Sequence, residues 1–600
     1  MEKSLNRRKN HFRIVFFVAI VLPIFTSSCS LIQGKKDVHL RIIETTDVHG
    51  AIFPYDFIRN RESDHSLSQV HNYVKSQRND QSLDVILLDN GDILQGQPTV
   101  YYSNYEEEGL SHICSEVMNY MDYDAATIGN HDIEAGHAVY DKLIEEFNFP
   151  WLAANAINTE TNEPYFKPYH IIQKKGVKVA ILGLITPGIP HWLPENLWDG
   201  IEFEDMVESA KYWVPVIQKK EKPDLLIGLF HSGHNFTYGG KTEETEKNDN
   251  ASLLVAQQVP GFDIIFIGHD HDEFNEFVEG PDGKEVLVLD PKSSARLISV
   301  ASIDFQWDKE TKRYNKEISG ELVSLSDWQP DEEFLEMFKS DYTTIENYVS
   351  RPVGIFTEPI LARKALFGDS PYMDLIHQVQ LDVTGADISF GAPLSMNSII
   401  DSGQVYVRDL FQIYRYENFL YSMELSGKEI KDYLEYSYNS WFNRMNDSSV
   451  NLLRFQTNEE GEIIKNTRSP YYRLYTNYYN YDSAEGIKYV VHLQRPEGSR
   501  VEIISMADGS AFSLDSKYKV AINSYRGNGG GGHLTRGAGI PAEDLSSRIV
   551  FSTDKDLRFY MMRWIENKGT VDPKCNMNWK VVPEKLWEKG QQNDLLLLFQ

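Results

Sequence analysis

The sequence predicts two domains, an α/β sandwich followed by a mixed α+β domain. The chain has 600 residues, which is more than one compact domain usually contains. Between residues 38 and 305, short runs of Ile, Val and Leu alternate with polar loops and helical stretches. This alternation is typical of buried strands joined by helices. Beyond residue 352 the chain becomes rich in tyrosine and has a glycine cluster near residue 530, which predicts a different architecture.

Residues 1–28 have the composition of an export signal. Basic residues precede the apolar stretch 14–25, which is shorter than the roughly 20 residues of a membrane-spanning helix. Three small residues then come directly before Cys29, and this arrangement resembles a bacterial lipobox. We expect a lipidated Cys29, a tether over residues 29–37, and an exported protein anchored on the periplasmic or cell-surface face of a membrane. Ordinary signal cleavage without lipidation is the alternative.

Six apolar runs are predicted strands of the first domain, residues 38–328. They cover residues 40–43, 85–88, 125–128, 179–185, 225–230 and 264–267. Apolar residues at helical spacing over 331–349 predict a linker helix within residues 329–352. The helix ends before Pro352, because proline discourages helix in the residue that precedes it. We expect the second domain to cover residues 353–590.

Charge and cysteine content exclude some classes of function. The chain has 59 Lys and Arg against 88 Asp and Glu, a net charge of −29, which argues against binding polymeric nucleic acid. A small phosphorylated ligand stays possible, since metal ions can neutralise it locally. Three cysteines cannot form a disulfide scaffold, and whether Cys114 pairs with Cys575 is left open. Nothing in the sequence implies a protein partner.

Five of the predicted strands are followed at once by side chains that can bind a metal ion. They are Asp47, His49, Asp92, Asn130, His231, His269 and His271. Each motif alone is common in loops, but five in order at strand ends would gather buried carboxylates and imidazoles that need a cation. Oxygen and nitrogen ligands of this kind suit zinc, manganese or similar ions. Seven ligands exceed one site, so we expect two divalent ions that share Asp92 and support phosphoester hydrolysis.

The order of these motifs carries a family resemblance. Asp-x-His, Gly-Asp, Gly-Asn-His, His-x-Gly-His and Gly-His-x-His resemble the calcineurin-like metallophosphoesterases. Within them, the chain is similar to the exported 5′-nucleotidase and 2′,3′-cyclic-nucleotide 2′-phosphodiesterase family. The resemblance implies a four-layer α/β/β/α metallophosphoesterase sandwich and a C-terminal nucleotide-binding domain. It also implies that His131 stabilises the transferring phosphoryl group, with Glu134 in the place of the family's orienting aspartate.

The resemblance further implies that two aromatic rings in the second domain hold the nucleotide base. Residues 413–418 supply Tyr416 as the stacking ring, Tyr414 as a further substrate contact and Asn418 as a polar base contact. Residues 523–530 supply Tyr525 as the opposing ring. Stacking tolerates any base. Accidental stacking in a tyrosine-rich domain is the alternative.

One segment favours a branch of the family. Residues 389–396 contain no arginine, whereas the 5′-nucleotidase branch carries arginines for the substrate in this domain. We therefore expect a 2′,3′-cyclic-nucleotide 2′-phosphodiesterase/3′-nucleotidase. The alternatives are a 5′-nucleotidase or UDP-sugar hydrolase and, from another class, a lipoprotein that binds nucleotides without hydrolysing them.

Overall fold

Two six-stranded sheets face each other in the first half of this computed structural model, which describes residues 37–107, 109–447, 449–466 and 471–599. The predicted signal and Cys29 lie outside the described residues. In spatial order the first sheet contains Arg313–Ser324, Leu297–Asp308, Val38–Thr45, Leu83–Asp89, Ala125–Thr127 and Trp151–Leu152. The second contains Glu273–Glu279, Glu285–Pro291, Ile264–Ile267, Leu225–His231, Val177–Ile185 and Tyr169–Lys174. Inward-facing side chains of both sheets, among them Ile42, Ile86 and Ile227, form the core between them.

Helices cover the outer faces of both sheets and complete four layers. The first sheet is covered by Leu67–Arg78, Pro98–Tyr105, Ile113–Tyr120, Asn130–Glu134 and His137–Glu146. Met206–Lys220 and Ser252–Gln258 pack on the second sheet, where Val214 and Leu254 contact strand residues such as Leu182. The predicted α/β/β/α sandwich is confirmed.

The segment predicted as one linker helix forms two helices, Glu332–Met337 and Lys339–Val349. Phe338 separates them with a non-helical φ of −100° and ψ of 21°. Phe334 of the first helix and Ile345 and Val349 of the second are buried in the core of the first domain, whereas Met337 is exposed. This segment is therefore packed against the sandwich along its length.

The second half is a mixed α+β domain. Its five-stranded sheet has the order Ser483–Glu485, Ile388–Gly391, Lys517–Asn523, Phe419–Ser426, Ile549–Asp556. One three-stranded sheet contains Gly403–Tyr406, Pro352–Phe356 and Thr570–Val571. A second three-stranded sheet contains Val501–Met506, Ile487–His492 and Trp579–Val582. The longer helices are Pro371–Thr384, Val407–Ile413, Gly427–Trp441, Leu557–Lys568 and Glu584–Phe599. The last helix continues past residue 590 and buries Leu598 in the core of this domain.

A buried contact joins the helix Pro98–Tyr105 to the second domain. The Tyr101 hydroxyl donates a hydrogen bond of 2.8 Å to Asp556. The guanidinium of Arg558 lies 4.8 Å from the ring centroid of Tyr101 and 3.9 Å from that of Phe411. Buried aromatic and cation–π contacts of this kind join the two domains at this point.

The structure also answers what the sequence left open about the cysteines and describes the helices with respect to a membrane. Cys114 and Cys575 are both free thiols, so the open question of their pairing is answered. Among the described helices, none is long and apolar enough to cross a membrane.

Candidate active site

The seven predicted metal ligands meet where the parallel strands of both sheets end. Asp47, His49 and His271 form one group whose candidate ligand atoms all lie within 4.8 Å of one another. A second group of the same dimensions contains Asp92, His231 and His269. The side-chain oxygen of Asn130 joins this second group, 3.2 Å from Nε2 of His231. Because the carboxyl ends of parallel strands share one edge, residues distant in sequence converge here.

The donor atoms of this site fit divalent cations. Nδ1 of His49 lies 2.8 Å from the carbonyl oxygen of Gln95, and Nδ1 of His231 lies 2.6 Å from that of Asn90. A carbonyl only accepts, so each Nδ1 carries a proton and each Nε2 is the nitrogen available to a metal. Oδ1 of Asp47 is buried without a hydrogen-bond partner of good geometry among the described residues, and Nε2 of His271 lies 3.2 Å from it. Such an orphaned carboxylate oxygen is costly unless a cation binds it.

Most of the predicted ligands have a strained backbone. Five of the seven have positive φ, namely Asp47 at 49°, His49 at 50°, Asp92 at 58°, His269 at 79° and His271 at 55°. This left-handed region is unfavourable for residues other than glycine, and such residues cluster at functional sites. The surrounding structure must therefore hold these loops firmly.

Asp132 holds two of these loops together through hydrogen bonds, and it was not predicted as a site residue. Its carboxylate accepts hydrogen bonds of 2.7–3.0 Å from the backbone N–H groups of Gly129, Asp92, Ile93 and Leu94. These bonds tie the loop that carries Asp92 to the loop that carries Asn130. The sequence offers no signal for this role, because the partners are backbone groups.

His131 lies beside the two groups with its imidazole oriented by a carboxylate. Its Nδ1 is 2.5 Å from Oε2 of Glu134, and its backbone N–H donates a bond of 2.8 Å to Asp92. Burial lowers the pKa of His131, but the carboxylates of Asp92 and Glu134 outweigh it and raise the pKa to about 10. The imidazole thus has the partners that favour a cationic form at the edge of the metal site.

The imidazole of His234, which was left out of the predicted ligand set, lies outside both groups. Its Nδ1 is 3.0 Å from Oδ2 of Asp270, and it forms a separate cluster with Asp270 and Asp290.

One cavity of about 2020 Å³ connects this site to the second domain. The first domain lines it with His49, Asp92, His131, His269 and His271. The second domain contributes Arg415, Tyr416, Tyr478 and Tyr479. The rings of Tyr416 and Tyr479 meet edge to face, with centroids 6.3 Å apart. The cleft therefore has a metal-binding wall and an aromatic wall.

The structure brings only part of the predicted aromatic set to the cavity. Tyr414 is 1% exposed, and its hydroxyl accepts bonds of 3.2 Å from Asn523 and 3.5 Å from Asn418. In this conformation the Tyr414 ring belongs to the domain core, so its contact with substrate stays a prediction. The amide of Asn418 is buried against the same hydroxyl and does not line the cavity. Tyr525 is also absent from the cavity lining.

Arg415, Tyr478 and Tyr479 line the cleft but were not predicted as site residues. Arg415 lies within the segment that supplied Tyr416, and its guanidinium is 5.4 Å from the centroid of that ring. The two tyrosines belong to a tyrosine-rich stretch without a recognisable motif, so the sequence does not distinguish them from structural tyrosines.

Comparisons with known proteins agree with both halves of this geometry. A family profile described as calcineurin-like phosphoesterase matches residues 40–273, and one described as 5′-nucleotidase, C-terminal domain, matches residues 352–536. The chain is 27% identical over 92% of its length to the trifunctional nucleotide phosphoesterase protein YfkN of Bacillus subtilis, of which it spans 39%. It is 26% identical over 96% of its length to a 2′,3′-cyclic-nucleotide 2′-phosphodiesterase/3′-nucleotidase of Haemophilus influenzae, and covers 92% of that protein.

A solved structure shares the fold over nearly the whole chain. It is a putative 5′-nucleotidase from Staphylococcus aureus, with a TM-score of 0.72 and 22% identity. The match covers 90% of this chain and 99% of that one.

Proposed function

Because the chain joins a calcineurin-like phosphoesterase domain to a 5′-nucleotidase C-terminal domain, we propose that it hydrolyses nucleotide phosphoesters with two divalent metal ions. One observation carries this proposal: ligands from both metal groups line the same cavity as Arg415 and Tyr416. A phosphate at the metal wall would leave the nucleoside facing the aromatic wall. The chain's similarity to nucleotide phosphoesterases supports the same reaction.

Two sets of residues would hold the ions. Asp47, His49 and His271 form one set, and Asp92, Asn130, His231 and His269 form the other, with Asp92 proposed as the shared ligand. When bound, zinc or manganese ions polarise the phosphoester and lower the pKa of water so that it can attack phosphorus.

His131 and Glu134 would act on the transferring phosphoryl group. The carboxylate of Glu134 accepts a hydrogen bond from Nδ1 of His131 and so fixes the orientation of the imidazole. We propose that the opposite nitrogen, Nε2, donates to a phosphoryl oxygen as negative charge develops there. A donor placed in advance at that position stabilises the transition state more than the ground state.

The second domain would select nucleotides by stacking. Tyr416 offers a ring in the cleft, and Tyr479 meets it edge to face. Arg415, which is exposed beside the Tyr416 ring, adds positive charge to this wall. Tyr525 stays our proposal for an opposing ring and requires a rearrangement that brings it into the cleft.

Among nucleotides, we propose 2′,3′-cyclic and 3′-phosphates as the preferred substrates. The absence of arginine from residues 389–396 supports this choice over a 5′-nucleotidase or UDP-sugar hydrolase. The similarity to the Haemophilus enzyme, whose name states these two activities, also supports it.

A kinetic panel tests these proposals together. The purified chain is loaded with Mn²⁺ or Zn²⁺ and assayed on 2′,3′-cyclic AMP, 3′-AMP, 5′-AMP and UDP-glucose, beside the His131→Ala variant. We expect the first two substrates to have the highest kcat/KM. A clear preference for 5′-AMP or UDP-glucose would assign the alternative branch. Nucleotide binding without any metal-dependent turnover would assign the non-catalytic alternative.

We also propose that the protein is exported and anchored through a lipidated Cys29. The basic residues, the short apolar stretch and the small residues before Cys29 support this proposal. The test is fractionation of cells that express the native chain or Cys29→Ser. The native chain should sediment with membranes, and the variant should not. Equal sedimentation of the two proteins would contradict the anchor.

A further inference from the structure

Three potential metal ligands that take no part in the catalytic site meet in the second domain. Asp369 lies just before the helix Pro371–Thr384, and Asp374 lies in its first turn. Cys575 lies in the loop that leads to the strand Trp579–Val582. One oxygen from each carboxylate and the sulfur of Cys575 all lie within 4.8 Å of one another. About 200 residues separate the two segments, so no sequence pattern reveals this juxtaposition.

The carboxylates of this cluster are aimed at one another and are under-satisfied. Asp374 is only 8% exposed. Its Oδ2 accepts a bond of 2.8 Å from the backbone N–H of Asn576, whereas its Oδ1 is buried without a hydrogen-bond partner among the described residues. Oδ2 of Asp369 also has no hydrogen-bond partner among the described residues, and the Asp369 carboxylate faces Asp374, the Cys575 thiol and the backbone N–H of Met577. A buried carboxylate oxygen without a donor costs free energy that a bound cation would recover.

The surroundings supply no compensating positive charge. In the described part of the chain, no Lys, Arg or His forms an ion pair with either carboxylate, and the nearby Lys574 is paired with Asp572. Glu485 adds further negative charge, with its Oε2 2.7 Å from the side-chain amide of Asn576. Two such carboxylates must either share a proton or bind a cation.

We propose that Asp369, Asp374 and Cys575 bind a single divalent ion of the zinc class, separate from the catalytic pair. Two ligands of a tetrahedral zinc ion lie about 3.5 Å apart, which the cluster reaches with small side-chain movements. Thiolate and carboxylate ligands together favour zinc over calcium or magnesium. Cys575 is only half-buried, which leaves a fourth position open to water. As the sulfur–metal bond forms, the thiol releases its proton to solvent.

The ion would have a structural role. It would join the N-terminus of the helix Pro371–Thr384 to the loop that leads into the last strand and the last helix of the chain. Metal binding to the folded state alone stabilises that state by mass action. This site does not depend on the proposed nucleotide chemistry.

Cobalt provides the test, because a Co²⁺–thiolate bond has a charge-transfer absorption in the near ultraviolet. The catalytic ligands are imidazole, carboxylate and amide groups and cannot produce this absorption. The full chain is freed of metal with a chelator and titrated with Co²⁺ while absorption and bound cobalt are measured. We expect three cobalt ions per chain and a thiolate band that zinc abolishes. The absence of a thiolate band would overturn the proposal and leave a shared proton as the explanation of the cluster.

Variants assign the band to this cluster. Cys575→Ser should remove the band and one cobalt ion, whereas Cys114→Ser, at the other free thiol of the described residues, should leave both unchanged. Asp369→Asn and Asp374→Asn should each weaken the cobalt affinity measured from the band by at least tenfold. A band that persists in Cys575→Ser would contradict the proposal. Circular dichroism of each variant confirms that it is folded, and the two Asn variants provide independent tests if either one fails to fold.

Discussion

The two walls of the cleft are built in different ways. On the metal wall, the ligands extend from strand ends, and hydrogen bonds to backbone groups fix two of their imidazoles. On the aromatic wall, the side chains come from loops at residues 415–416 and 477–479 and contact one another mainly edge to face. Metal-assisted chemistry needs atoms held within a fraction of an ångström, whereas stacking tolerates shifts of a ring. The first domain thus has the rigid half of the site, and the second has the adaptable half.

The largest expected effect comes from breaking the metal wall. Asp92→Asn removes a negative charge from the proposed shared ligand, and we expect kcat/KM to fall by about 10³-fold or more, beyond the loss from removing one hydrogen-bond donor. The measurement is steady-state hydrolysis with the bound metal quantified. Asp84→Asn is the matched control, because Asp84 lies at the start of the strand Leu83–Asp89, far from the loop that carries Asp92, and pairs with Lys175. Activity of Asp92→Asn within tenfold of the native value would contradict the account.

His131→Ala should have the next largest effect. The variant loses a donor to the transferring phosphoryl group, so we expect kcat to fall by about 10²–10³-fold while the bound metal stays the same. His39→Ala, a change at an exposed histidine paired with Asp304, is the control and should keep native kinetics. If kcat is unchanged in a metal-loaded His131→Ala protein, then His131 has no catalytic role.

Glu134 should have a smaller effect, because it acts through His131. Glu134→Gln keeps an acceptor for Nδ1 but loses the charge, and we expect kcat to fall by about 10-fold. Glu134→Ala should lose more, by about 10²-fold, because the imidazole is no longer oriented. Kinetics of His131→Ala/Glu134→Ala would then match those of His131→Ala alone. Additive losses in the double variant would show that Glu134 acts independently.

The smallest effect concerns the aromatic wall. Tyr416→Ala should raise KM about tenfold and change kcat by less than threefold, since stacking contributes about 1–3 kcal/mol per base. Tyr414→Phe is the matched control, because Tyr414 is buried and should leave KM unchanged. A fall in kcat rather than a rise in KM for Tyr416→Ala would mean that this ring positions the phosphate.

The two walls also differ in how far the sequence predicts them. The metal wall was predictable because each ligand lies at the end of a parallel strand or in the loop that follows it, and the direction of the strand determines where its end lies. The aromatic wall was predicted only in part. Tyr414 and Tyr416 are two residues apart in the loop after the helix Val407–Ile413, and only the packing of that loop decides which ring is buried.

Other features depend on contacts that residue types do not reveal. The break at Phe338 in the linker segment depends on how both helices pack on the sandwich. The role of Asp132 depends on backbone N–H groups from two loops. The cluster of Asp374 and Cys575 depends on two segments that meet only in the folded domain. In each case the decisive information is tertiary.

The most direct test of the account is to measure the affinity for 3′-AMP by calorimetry. The two proteins compared are the metal-loaded variants His131→Ala and His131→Ala/Tyr416→Ala, both with impaired turnover. The comparison separates binding by the second domain from chemistry in the first. We predict measurable binding to His131→Ala and about tenfold weaker binding to the double variant. Equal affinity in the two proteins would contradict the claim that the second domain recognises the nucleotide in this cleft.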